Sequence, residues 1–178
     1  MMKIRIKFRK YGTMKFIGHL DVMRYFQKAI RRSEVNIRYS EGFSPHQIMS
    51  FAAPLGVGIT SKGEYVDIEV LDTENSKKMI DRLNAVMSEG FEILEYKLLP
   101  DDAANAMSIV AAADYSLVFR PGYEPEKESP EEWFEKLVRF FDADHVMIMK
   151  KTKKGEREMD LKPFVYELNV RKNGEVPA

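Results

Sequence analysis

Two of the three histidines, His19 and His46, sit among residues that could do chemistry. The first lies in Lys15-Phe16-Ile17-Gly18-His19-Leu20-Asp21-Val22-Met23-Arg24, at the start of a helical pattern. An imidazole and a carboxylate so placed can act as general acid and base. The free N–H groups of a helix start also favour an anion, and Arg24, one turn on, could hold the same phosphate. The second histidine lies in Tyr39-Ser40-Glu41-Gly42-Phe43-Ser44-Pro45-His46-Gln47. Glycine and proline punctuate this stretch as a loop. Ser40 and Ser44 would be nucleophiles only if His19 or His46 reached them, and no acid at a defined spacing completes a triad. His19, Asp21 and His46 are thus the candidate catalytic groups. They would also offer nitrogen and oxygen ligands to a metal if they converged. A β-α-β unit brings a helix start and a loop two elements later together, so His19, Asp21, Arg24, Tyr39, Phe43 and His46 are expected to cluster on one face at this helix. No metal site is expected, because three histidines are unremarkable in such a chain and His145 is far along it.

A second kind of chemistry is phosphate binding. Arg24, Lys28, Arg31 and Arg32 recur at i, i+4, i+7 and i+8 and form a basic stripe on the helix read over 18–32. Beside them, Tyr39 and Phe43 offer rings on which bases could stack, a composition used for single-stranded nucleic acid. Residues 1–50 carry eleven Lys and Arg against three Asp and Glu, a net of +8, and residues 51–178 a net of −8. Such a split fits a basic face offered to a polyanion or an acidic partner. It fits equally a solvated face whose charges are balanced across the fold.

Other chemistries are excluded. The chain has no cysteine, so it holds no disulfide, thiol nucleophile or cysteine-held iron–sulfur cluster. Gly56-Val57-Gly58 lacks the third glycine of a dinucleotide loop and precedes a strand, so no cofactor is expected. The N-terminus lacks the apolar core of a secretory signal, and no apolar run reaches the roughly 20 residues of a membrane span. A cytoplasmic protein that does not enter the membrane is the expectation.

The elements that must position these residues follow from periodicity. Ile4, Ile6 and Phe8 alternate with Lys3, Arg5, Lys7 and Arg9, which predicts a half-buried strand. The helix over 18–32 follows, then strands at 35–39, 47–52 and 64–71, a helix over 75–88 and a strand over 91–98 with a shift at Leu94. The β-α-β, β, β-α-β order matches the split βαβ of ferredoxin-like domains. Residues 100–113 read as a linker. Beyond it come a strand from Tyr115 to Phe119, a helix announced by Ser129-Pro130-Glu131-Glu132, and a hairpin of 145–151 and 156–170 around Lys153-Lys154-Gly155. The expected fold is α+β with two ferredoxin-like units in tandem, the second incomplete: one domain at 1–100 and a partial one at 114–178.

Residues 15–24, Ala29-Ile30-Arg31-Arg32, the 39–46 loop, Ser50-Phe51-Ala52, Pro54-Leu55-Gly56-Val57-Gly58 and Ser61-Lys62-Gly63-Glu64-Tyr65 together resemble the radical-SAM-linked family of uncharacterised bacterial proteins. Its members occur beside or fused to radical-SAM proteins, so the resemblance implies a radical-SAM protein as partner and no activity of the chain itself. The family pattern has Ser or Gly before His-Leu-Asp, which Gly18 fits, and a proline after the loop histidine, where this chain has Gln47. The leading expectation is an accessory module that holds RNA or another phosphate-bearing substrate for that partner. The alternatives are an enzyme using His19, Asp21 and His46, and a structural subunit that docks the partner.

Overall fold

In the computed structural model, which describes residues 1–153 and 155–171, the chain divides into two units, Met1–Ala113 and Asp114–Ala178. The first is built on β1 (Met2–Lys10), α1 (His19–Arg32), β2 (Met49–Phe51), β3 (Ser61–Val70), α2 (Ser76–Asn84) and β4 (Phe91–Leu99). The four strands form one antiparallel sheet in the order β2-β3-β1-β4. The inward half of the β1 alternation makes the core: Ile4, Ile6 and Phe8 are buried with Val66, Ile68 and Val70 of β3 and Ile93 of β4. α1 lays Val22, Phe26, Ala29 and Ile30 on that face, and α2 adds Met79 and Leu83. Phe8 stands at the centre, with the rings of Phe26, Phe51 and Phe91 at 4.5, 6.0 and 6.2 Å.

Local chemistry sets the joints. The β1–β4 register slips between Lys7 and Phe8, which leaves Leu94 as the extra residue of a bulge, where the sequence shifts its alternation. Gly90 has φ +100°, and a Cβ there would stand 2.5 Å from Met14 Cγ and 2.9 Å from Tyr11 O. Only glycine fits that crossing. After α1, Glu34 takes φ +54°, and Arg82 of α2 donates to the carbonyls of Ser33 and Glu34.

The structure corrects several expectations. Residues 35–39 make only isolated bridges, Ile37 to Val70 of β3 and Tyr39 to Gln47 across the loop that follows, because the chain meets the sheet briefly and then turns back on itself. The stretch read as a linker is not free. Asn105 caps a short helix, α3 (Ala106–Ile109), and Asp67 of β3 accepts from Ala106 N at 2.7 Å. Lys3 and Arg5 donate to the carbonyls of Asp101 and Ala104.

The second unit has α4 (Pro130–Phe141) and a hairpin of β5 (Met147–Thr152) and β6 (Gly155–Asp160). The capping box is formed: Ser129 Oγ accepts from Glu132 N, and Glu132 accepts from Ser129 N. No strand forms at Tyr115 to Phe119, since no neighbouring strand pairs with it, and Tyr115, Leu117 and Val118 stay exposed. The unit therefore lacks the first strand of the expected β-α-β-β order. Lys154, read as part of the hairpin turn, lies outside the described residues, as do residues 172–178. Among the described residues no helix is long and apolar enough to cross a membrane.

Candidate nucleic-acid interface

α1 is a 14-residue helix whose core side is fixed by Val22, Phe26, Ala29 and Ile30. That leaves Arg24, Lys28 and Arg31 on the opposite side, all exposed. Arg24 pairs with Asp21 at 3.3 Å, one turn back. Arg32 turns away from the stripe, donating to Val86 O at 3.0 Å with its guanidinium 5.9 Å from the Tyr25 ring. Lys28 and Arg31 have no side-chain partner among the described residues.

The cations of β1 behave differently. Arg5 forms a two-pronged contact with Asp67, Lys7 pairs with Glu95 at 3.1 Å, and Arg9 pairs with Glu92 at 3.2 Å. Arg38 meets Glu69 at 2.8 Å. Four cations of the basic first fifty residues, Arg5, Lys7, Arg9 and Arg38, are thus matched by carboxylates of β3 and β4. Of the others in that half, Arg24 pairs with Asp21, Lys3, Lys10 and Arg32 donate to backbone carbonyls and Lys15 lies over the Phe16 ring, which leaves Lys28 and Arg31 as the two with no partner among the described residues.

The aromatic loop lies beside this stripe. Ser40 N donates to His46 O at 2.8 Å and His46 N donates to Ser40 Oγ at 3.1 Å, closing the base of the loop. Gly42 at φ +106° carries the chain round, and Phe43 stands at the tip with its ring wholly exposed. Gln47 is buried; its Nε2 donates to Gln27 O at 3.3 Å and to Tyr39 Oη at 3.4 Å, and its Oε1 has no partner. Gln27 neighbours Arg24, Lys28 and Arg31 on the helix, so Tyr39 and the loop base sit at the edge of the stripe.

His19 opens α1, whereas Gln47, the neighbour of His46, reaches the middle of the same helix. The His19 ring meets Phe51 edge-on at 5.4 Å. His46 adjoins the Gln47 that binds Gln27, eight residues and about 12 Å of helix farther on. Asp21 is exposed and engaged with Arg24. Among the described residues no group of three His, Asp or Glu side chains could hold a metal ion. His46 Nδ1 lies 2.8 Å from Ser40 Oγ, the contact a serine nucleophile needs. That oxygen also accepts from the His46 backbone, so its place is explained by loop closure.

Sequence reasoning missed Lys10. It occupies the inward parity of β1 after Phe8 and is 1 % exposed. Its Nζ donates to Ile17 O at 3.0 Å, which ties β1 to the residue before the α1 N-cap, Gly18. A cavity of about 10 Å³ opens here, lined by Lys10, His19, Phe51, Leu55 and Glu64. Burial pushes the Lys10 ammonium below the ordinary lysine value, and Glu64 partly opposes that shift. The signal was present: the alternation of Ile4, Ile6 and Phe8, continued one step, points Lys10 inward.

The stretches singled out in the sequence thus serve one small domain. A family model for an uncharacterized protein conserved in bacteria (DUF2344) matches residues 3–177, nearly the whole chain. The chain belongs to this family. No curated protein matches it.

Proposed function

We propose that this family member is a binding module that holds single-stranded RNA, or a similar phosphate-bearing chain, along α1. The observation that carries the proposal is the contrast between cations. Arg5, Lys7 and Arg9 of β1 are matched by carboxylates, whereas Lys28 and Arg31 are exposed and, among the described residues, unmatched on one helix face. Cations left solvated on a rigid helix are available to phosphates, which they bind with release of counterions. Tyr39 at the edge of the stripe and the exposed Phe43 of its loop would supply rings for bases, and Arg24 extends the line of charge. Arg32 has a smaller part, since it already serves Val86 and Tyr25.

In this reading the chain is an accessory of a radical-SAM protein in the cytoplasm, and the resemblance of residues 3–70 to the radical-SAM-linked family is the support for that partner. The β-α-β-β-α-β order and the strand order β2-β3-β1-β4 support a ferredoxin-like reading of the first unit. An enzyme built on His19, Asp21 and His46 is the weaker reading, because Asp21 is engaged with Arg24 and His46 with Ser40 in closing the loop.

Ultraviolet crosslinking of the purified chain to a mixed-sequence single-stranded RNA, followed by peptide mapping, tests the proposal. Adducts at Phe43 or Tyr39 are expected. Adducts confined to the second unit, or none, would contradict it.

A further inference from the structure

The second unit is a helix and a two-stranded hairpin with little interior. Val146 is its one buried residue among those described. The rings of Phe119, Trp133 and Phe134 pack within 5.2–5.3 Å of one another, yet Trp133 remains 36 % exposed and Phe140 57 %. A lone hairpin is marginal in water, and three or more strands or more extensive packing are needed for stability. The unit needs a cover.

Its charges say what kind. In the hairpin Lys150 stands directly opposite Arg157, a like-charged cross-strand pair. Among the described residues neither has an anionic partner, nor does Lys153 at the hairpin end. At the start of α4, Glu128, Glu132 and Glu135 are engaged by Lys136, the Ser129 cap and Arg139. Glu124, Glu126 and Glu131 there are exposed and have no cation among the described residues. Among the described residues the 124–131 stretch thus keeps three unpaired carboxylates against one unpaired cation, Lys127, and the hairpin three unpaired cations against one unpaired carboxylate, Glu158, so the two carry opposite excess charge.

We propose that the second unit is an interface for a second copy of this chain. A twofold axis would bring each hairpin to the other copy's α4 start, so that both unmatched patches are neutralised twice. The same operation would let the Trp133 and Phe140 sides cover each other. Such an isologous contact is self-complementary, as closed dimers require. The repulsion between Lys150 and Arg157 is then relieved by the partner's carboxylates and becomes a source of specificity.

Sedimentation of the full chain up to about 100 µM, with iodide quenching of Trp133, the chain's single tryptophan, tests this. A dimer with shielded Trp133 is expected. Lys150→Glu with Arg157→Glu should weaken self-association by roughly tenfold or more. Adding Glu126→Lys and Glu131→Lys should restore it. All four positions are exposed, and circular dichroism confirms that each variant is folded. A monomer with shielded Trp133 would overturn the proposal in favour of cover from the same chain. A monomer with accessible Trp133 would overturn it in favour of a different protein. A dimer indifferent to both charge sets would overturn it as well.

Discussion

Arg5 and Asp67 face each other across β1 and β3, with Nε and Nη2 at 2.8 and 2.9 Å from the two carboxylate oxygens. The same Asp67 accepts from Ala106 N at 2.7 Å, and Arg5 donates to Ala104 O, so one half-buried pair holds both the sheet and the segment after β4. Charge-assisted two-pronged contacts are the strong ones. Asp67→Ala should destabilise the first unit by about 2–3 kcal/mol, because it leaves Arg5 and the Ala106 amide unpaired. Urea unfolding measures the loss, and hydrogen exchange at Ala106 should quicken beyond the global change.

Two phenylalanines separate folding from binding. Phe8 is 2 % exposed among three other rings, and its replacement by alanine should cost about 3–5 kcal/mol. Phe43 touches nothing of consequence, so Phe43→Ala should change stability by less than about 0.5 kcal/mol. The same change should weaken binding to single-stranded RNA by about 1–3 kcal/mol through lost stacking. Paired unfolding and binding measurements check both halves.

The Lys10 ammonium is held below the usual lysine value by burial, so the unfolded chain binds the proton more tightly than the folded one. Stability must then rise with pH between the folded value and the ordinary 10.5. Lys10→Met should remove that rise. Urea midpoints of the two proteins at pH 7, 9 and 10 report it, and parallel pH dependence would contradict the assignment.

Asp160 shows the opposite sign. The His145 ring, 2.8 Å away, and the amides of Val146 and Lys162 lower its pKa from 3.8 to about 2. A depressed carboxylate contributes stability that is full above about pH 4 and disappears as the pH falls toward 2. Trp133 fluorescence should therefore show the second unit loosening over that acid range, and Asp160→Asn should flatten the transition.

Much of this was legible in the sequence where the periodicity was strong. The helix read over 18–32 is His19–Arg32, the Leu94 shift is a bulge, and Ser129 to Glu132 is a capping box. The misses share a cause, which is that tertiary neighbours decide them. Tyr115 to Phe119 has strand composition but no strand beside it. The α3 turn is held by Asp67, thirty-nine residues earlier in the chain. At the site, the basic stripe could be read from spacing. That Arg5, Lys7 and Arg9 are matched while Lys28 and Arg31 are not could be seen only once β3 and β4 lay beside β1.

The central claim is that Lys28 and Arg31 meet phosphates, and a salt titration tests it most directly. For single-stranded RNA each lost phosphate contact lowers the slope of log affinity against log salt by about 0.7. The Lys28→Ala, Arg31→Ala protein should bind more weakly with a slope flatter by about 1.4, while its thermal unfolding matches the wild type. Parallel slopes for the two proteins would contradict the account and assign the stripe to plain solvent or a protein surface.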